Sequence, residues 1–339
     1  MKCRSSIHLL ALQLPLRWRG FSLIELMVAM TIGLLLLAGL FGIYINVAQS
    51  ARSQAALALM QGNARYAFEI MGVDIRMAGF TGSQQSPTDA VGTLSPITLS
   101  SLKDLSNPLI GYKNTNPPNV CTTANTPACY WANPDNDSST PSPDSLTVVR
   151  VDTENKYAVS LHTAGTSFTL SSWPWSDSSP STAVGQIFVA ADYTHTAVFR
   201  VGAASDPVVS YSGSLGVFGS GTTALAIYRL SGVSYYIGRN PVGEPALYRD
   251  KLVSSTASTK EELVQGVENM QITYGVDTGT DNNVDAYQAA DSVTNWSRVL
   301  SVRITLTLVS GQNEKVGTTG DKLLRKSFSN TIAIRNRLL

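Results

Sequence analysis

The sequence predicts an α+β protein: a long N-terminal helix, membrane-spanning over its first half, packed on a C-terminal domain of mainly antiparallel strands. Three observations predict it. From Phe21 to Val47 the chain carries one charge, Glu25. Met60, Ala64, Ala67, Phe68, Met71 and Ile75 then recur at spacings of three and four, which is one face of a helix. Over residues 144–339, apolar and β-branched residues alternate with polar ones, the period of a strand covered on one side.

The N-terminal run is long enough to span a bilayer, which takes about 20 residues. Lys2, Arg4, Arg17 and Arg19 precede it with no acid among them. The excess of cations before the run predicts a cytoplasmic N-terminus and export of the rest. A cleaved export signal and a plain signal anchor have no use for Glu25, because an unpaired carboxylate is costly in hydrocarbon; the long apolar run with its basic flank argues against a soluble core helix.

Along the second half of the helix, Arg65, Glu69, Gly72 and Arg76 are expected opposite the apolar stripe, and "MAGF" with Thr81 and Gly82 ends it. Residues 81–143 are rich in Ser, Thr, Asn and Pro and read as an irregular surface region. Strands follow in "SLTVVRVD", "GQIFVAAD" and "TAVFRVG". "ALAIYRLSGVSYYIGR" reads as a hairpin turning at Ser231–Gly232. "MQITYGV", "RVLSVRITLTLV" and the run holding Phe328, Ile332 and Ile334 complete the strands. The expected divisions are 1–20, 21–47, 48–80, 81–143 and 144–339.

The 339 residues are 43% hydrophobic and only 14% charged, with a net charge of +1, which speaks against a strongly basic nucleic-acid binder. Cys3 lies near the start; Cys121 and Cys129 bracket "CTTANTPAC". In an oxidising compartment that spacing predicts a small disulfide loop, and no second Cys or His group stands nearby to make a zinc site. Enzyme chemistry has little to build on. There is no H-E-x-x-H, G-x-S-x-G or G-x-x-x-x-G-K, and His8, His162 and His195 are isolated.

Other patterns carry weaker signals. "VDTGTDNNVDAY" offers Asp277, Asp281, Asn283 and Asp285 as oxygen donors for Ca²⁺, yet position twelve counted from Asp281 is Ser292 rather than Glu, so a solvated loop is the simpler reading. No other cofactor is expected. Arg325, Lys326, Arg335 and Arg337 make a weak nucleic-acid footprint without an aromatic platform; on an outermost strand such charges discourage edge pairing. "WPW" at Trp173–Trp175 reads as buried or loop-packed aromatics, with an exposed contact as the alternative.

"RGFSLIEL", Gly followed by an aromatic and then by Glu five residues after the Gly, resembles the processing site of type IV prepilins. The resemblance implies a cut after Gly20 by a prepilin peptidase, N-methylation of the new terminus at Phe21, and pairing of Glu25 with the terminal amine of a neighbouring subunit. The leader of 20 residues is longer than usual for the family, and Gly39 and Gly42 stand where many pilins carry a proline. "NARYAFEIMGVDIRMAGF", "GQIFVAADYTHTAVFRV", "VQGVENMQITYGVD", "WSRVLSVRITLTLVS" and "FSNTIAIRNR" narrow the resemblance to the PilW-type minor pilins of type IV pili. That family implies a non-enzymatic pilin-like fold, located in the inner membrane and then in the pilus. It also implies a role in the assembly-priming tip complex. The partners implied are other minor pilins, the major pilin, the inner-membrane assembly platform and a large tip adhesin. The larger minor pseudopilins of type II secretion share the N-terminal site. A membrane-anchored periplasmic ligand-binding domain is the alternative of another class.

Overall fold

Leu23–Arg76 form helix α1, whose first turn holds Glu25 and whose last turn holds Arg76. An acid at the start and a base at the end both complement the helix dipole. In a computed structural model the described residues are 20–82, 107–122, 126–134, 139–173, 184–192, 195–211, 215, 218, 220–221, 225–254, 257–279, 281–311 and 323–337. Residues 1–19, with Cys3 and His8, lie outside them. So do residues 83–106 of the expected irregular region, and Pro174 and Trp175 of the WPW motif.

The chain divides into two units, Met1–Arg52 and Ser53–Leu339. In the first, the helix is apolar enough to cross a membrane, and its most apolar window is wholly unburied. Gly39 and Gly42 lie within α1. Leu34, Leu35, Leu36, Leu37, Leu40 and Phe41 are exposed all round the helix, the pattern of a segment whose solvent is lipid or another helix.

In the second unit, α1 buries the face its spacing predicts. Met60, Ala64, Ala67, Met71 and Ile75 are buried and Phe68 is partly so. Gly72, expected on the opposite face, is buried as well, because the Arg76 guanidinium folds back over it. The helix ends at Arg76, and turn bonds from Met77 to Asp74 and from Ala78 to Ile75 carry the chain onward.

Thirteen strands follow among the described residues: β1 Leu109–Tyr112, β2 Ser145–Thr163, β3 Ser167–Leu170, β4 Ile187–Ala191, β5 Thr196–Ser205, β6 Val208–Tyr211, β7 Ala226–Arg239, β8 Pro245–Leu252, β9 Ser258–Gln265, β10 Val267–Val276, β11 Ala286–Gln288, β12 Val299–Val309 and β13 Arg325–Ala333. All their pairings are antiparallel. The domain is thus a helix on antiparallel sheets, the predicted α+β class.

One sheet has nine strands in the order β1-β2-β3-β6-β5-β4-β7-β8-β9, and β2 also pairs with β7. That extra pairing closes β2, β3, β6, β5, β4 and β7 into a ring. A closed ring removes sheet edges. Its interior is filled by Phe168, Phe188, Phe199, Tyr211, Val201 and Ile227, among others. The second sheet has the order β11-β10-β12-β13.

The main core lies where α1 meets both sheets: Leu146, Val148, Tyr235 and Leu247 from one, Met270, Ile272, Val302 and Ile304 from the other. Fully burying an aliphatic side chain of this size contributes about 1.5–3 kcal/mol. Gly111 in β1 lets the Tyr274 ring approach, since a Cβ there would run into that ring.

The expected hairpin at Ser231–Gly232 does not form. β7 runs unbroken through both residues, which pair with Arg150 and Val149 of β2. A strand buried on both faces loses its alternation, and Ser-Gly in such a strand imitates a turn. Here Gly232 stays extended and the neighbouring Ser234 hydroxyl is paired with that of Thr147 at 2.7 Å.

One carboxylate sits in the buried stripe of α1. Asp74 accepts from Arg150 Nε and Nη2, each at 2.8 Å, and from the Tyr235 hydroxyl at 2.5 Å. Burial, then the Asp74 charge beside it, pushes the Tyr235 hydroxyl well above the usual tyrosine range, so it stays a donor. Breaking a buried ion pair from one side leaves an unpaired charge and costs about 3–5 kcal/mol. Asp74→Ala is therefore expected to lower stability by about 3 kcal/mol or more in urea denaturation of the full chain in detergent micelles. Asp74→Asn, which keeps hydrogen bonds but not the charge, should lose less. An unshifted midpoint for Asp74→Ala would remove the cluster from the list of things that hold the helix down.

Candidate functional site

The N-terminal site is built on the entry to α1. Gly20 and Phe21 precede the helix, Phe21 is 81% exposed, and the Leu26 N–H donates to the Ser22 carbonyl at 3.1 Å to open the first turn. Nothing lies within 4 Å of where a Gly20 Cβ would stand. Glu25 is exposed in the first turn, amid Leu23, Ile24, Leu26 and Met27, which are all more than half exposed. Glu25 is thus a carboxylate in the first turn of a helix otherwise suited to hydrocarbon, where an unpaired charge is costly.

Two family profiles match the chain. Residues 19–41 match the prokaryotic N-terminal methylation motif, and residues 234–336 match the type IV pilus-assembly protein W family. The chain resembles a PilW-type minor pilin. The two matches fall on its apolar helix and on its strands from within β7 through β13. Strands β3 to β6, which complete the closed ring, lie outside both. No curated protein and no solved structure matches the chain.

Cys121 and Cys129 are joined in a disulfide, with Cα atoms 4.8 Å apart. The loop it closes docks on the nine-stranded sheet. The Ala128 N–H donates to the Arg239 carbonyl, the Trp131 N–H to the Ile237 carbonyl, and the Tyr236 hydroxyl to the Ala128 carbonyl. Beneath it Val120, Tyr130, Tyr236, Ala246 and Tyr248 form a small core of their own. The bridge thus pins an otherwise irregular segment over buried aromatics.

Asp277, Asp281 and Asp285 each bring one carboxylate oxygen within 4 Å of where a Gly279 Cβ would stand. Asp285 Oδ2 accepts from the Thr278 N–H, the Thr278 hydroxyl and the Gly279 N–H. Those donors hold its carboxyl below the usual range, led by the Thr278 hydroxyl. Asp277 accepts from the Asn282 N–H, and Asp281 from the N–H and side-chain amide of Asn283. Asn282 has φ +61°, a conformation Asn tolerates better than most residues. Among the described residues no group of three or more His, Cys, Asp or Glu is placed to hold a metal ion. The acids cap a turn between β10 and β11.

His162 is buried in the ring, its Nε2 2.8 Å from the Tyr211 hydroxyl and its ring stacked on Phe168. His195 contacts the Asp192 carboxylate at 3.2 Å. Trp173 packs at the margin of the ring's core. Of the C-terminal cations, Arg325 pairs with Glu268 through Nε at 2.7 Å and Nη2 at 3.0 Å. Arg337 donates to the carbonyls of Trp296 and Val299, and burial lowers its guanidinium to about 10. Lys326 and Arg335 are exposed.

Two groups escaped the sequence reading: Asp74 and Asp250. Each occupies a position that the surrounding pattern marks as ordinary. Asp250, in β8, is fully buried, and neither of its oxygens has a hydrogen-bond partner. It lies opposite Ser234 and Lys260 on the neighbouring strands. Burial raises its carboxyl above the usual 3.8, against smaller opposing effects of Ser258 and Lys260. A folded-state value above the unfolded one means the fold favours the neutral form. The stability from this group is fully present below about pH 4 and is lost as pH rises through the folded value. Asp250→Asn, which cannot ionise, is therefore expected to raise stability near pH 7 by about 1–3 kcal/mol and to add little near pH 4. Urea midpoints at the two pH values check it; an equal effect at both would show that Asp250 is ionised throughout.

Proposed function

We propose that the chain is a minor pilin, a structural and non-enzymatic subunit of a type IV pilus. In this reading it is made as an inner-membrane prepilin, cut between Gly20 and Phe21 by prepilin peptidase, and methylated on Phe21. The observation that carries the proposal is the placement of Gly20, Phe21 and Glu25 at the mouth of an exposed apolar helix, matched by the methylation motif over residues 19–41. Residues 1–20 would be the leader and 21–47 the membrane segment, later part of the filament core. The disulfide suits export of the domain beyond the membrane, because such bonds persist in oxidising compartments.

Glu25 would register subunits. Four residues of helix separate Phe21 from Glu25, about 6 Å of rise. The terminal amine of one subunit and the glutamate of the next can meet only when two helices are offset by that amount. In low dielectric, the penalty for leaving either charge alone favours that register over others. The partners are then other minor pilins and the major pilin, delivered through the inner-membrane platform, with the protein among the subunits that prime assembly at the tip.

Mass analysis of the mature protein is expected to show an N-methylated Phe21 as its first residue; an intact leader in protein recovered from pili would overturn the reading. Glu25→Gln keeps the shape and loses the charge. It should reach the membrane and be cleaved, yet co-purify about tenfold less with the other minor pilins and reduce pilus number. Wild-type recovery and piliation would remove the ion pair from the mechanism.

A further inference from the structure

β13 is a free edge. It pairs with β12 from Arg325↔Val309 to Ala333↔Ser301, and among the described residues no strand pairs with its other side. A groove of about 550 Å³ runs between this edge and the packed half of α1. Ala64, Phe68 and Phe328 give it an apolar floor, and two cations, Arg65 and Arg76, stand on its helix side with one acid, Glu69. No carboxylate lies within ion-pair distance of either guanidinium among the described residues. Arg65 is exposed and Arg76 half-buried.

We propose that this edge and groove receive an extended, acidic segment of another polypeptide, which adds to the four-stranded sheet beside β13. The backbone supplies the register, since an unpaired edge offers a row of N–H and C=O groups to an incoming strand. The groove supplies the chemistry. Alternate side chains of an added strand point the same way, so one face of it would lie over Phe68 and Phe328 with carboxylates in reach of Arg65 and Arg76.

Charge argues against a second copy as the occupant. From Leu323 to Leu339 the chain has no acid, while Arg325, Lys326, Arg335 and Arg337 are cations. Arg325 is already taken by Glu268, but pairing β13 with itself antiparallel brings Lys326 of each strand towards the other's Arg335, and neither has an ion-pair partner among the described residues. The other long edge, β9, does hold Glu261 and Glu262. However, Glu261 already takes Arg249 at 2.6 Å and Glu262 contacts Tyr248 and Asn240. The basic edge therefore excludes its own kind and selects an acidic one. The inference goes beyond the pilin reading and rests on strand geometry and charge, so it stands or falls separately from cleavage and from Glu25.

The test uses the full chain in detergent micelles and two synthetic ten-residue peptides, one alternating glutamate with valine and one alternating lysine with valine. The glutamate peptide is expected to bind and to slow amide hydrogen exchange across residues 325–333, while the lysine peptide does not. Arg65→Glu, at an exposed position, should weaken the glutamate peptide about tenfold. The double variant Arg65→Glu/Arg76→Glu should turn the preference towards the lysine peptide. Equal binding of both peptides, or protection elsewhere than β13, would overturn the proposal. So would protection of β13 that rises with protein concentration alone, which would make a second copy the occupant.

Discussion

The seating of the packed half of α1 depends on Asp74. The helix offers the sheets a stripe of small and flexible side chains, Ala64, Ala67 and Met71 among them, which slide easily over apolar surface. A buried carboxylate does not slide. It needs Arg150 from β2 and the Tyr235 hydroxyl from β7 at once, and only one rotation and one height of the helix provide both. Apolar burial supplies most of the free energy, and the ion pair selects the geometry. Tyr235 also belongs to the main core, so the same residue serves both.

β7 is the second organising element. Its first part closes the ring through β4 and β2, and its later residues carry β8 and the open end of the sheet. Passing through Ser231 and Gly232 without a turn, it makes one strand do two jobs. The register of β2 against it shifts between Val151 and Lys156. Such an irregularity bends a strand, and it falls where β2 leaves the open sheet for the ring. The family match begins within β7. The part of the domain that resembles pilus-assembly protein W is therefore the open sheet's end and the four-stranded sheet, with the ring set largely apart from it in sequence.

Electrostatics are distributed by the same logic of burial. Glu268 neutralises Arg325 at one end of β13, and backbone carbonyls hold Arg337 beyond the other. Lys326, Arg335, Arg65 and Arg76 remain for solvent or a partner. In the β10–β11 turn the carboxylates instead satisfy backbone donors within their own loop, which commits their lone pairs to local order.

Much was decided by sequence alone, because its signals are local. An uncharged run, a period of three and four, and a period of two each follow from backbone geometry over a few residues. They marked the apolar helix, the stripe Met60–Ile75 and three strands of the four-stranded sheet, β10, β12 and β13, while β11 lay in what read as a loop. The Cys121–Cys129 bridge was legible because the chain has three cysteines and the third, Cys3, lies near its start. What only the tertiary structure decided depends on pairing between distant segments. The unbroken course of β7, the closure of the ring and the meeting of Asp74 with Arg150 all join residues far apart in the chain or override a local preference. Alternation disappears in a strand buried on both faces, and a buried carboxylate reads like an exposed one until its partners are known. The free edge of β13 belongs to the same class, since no single strand's sequence says which neighbour it lacks.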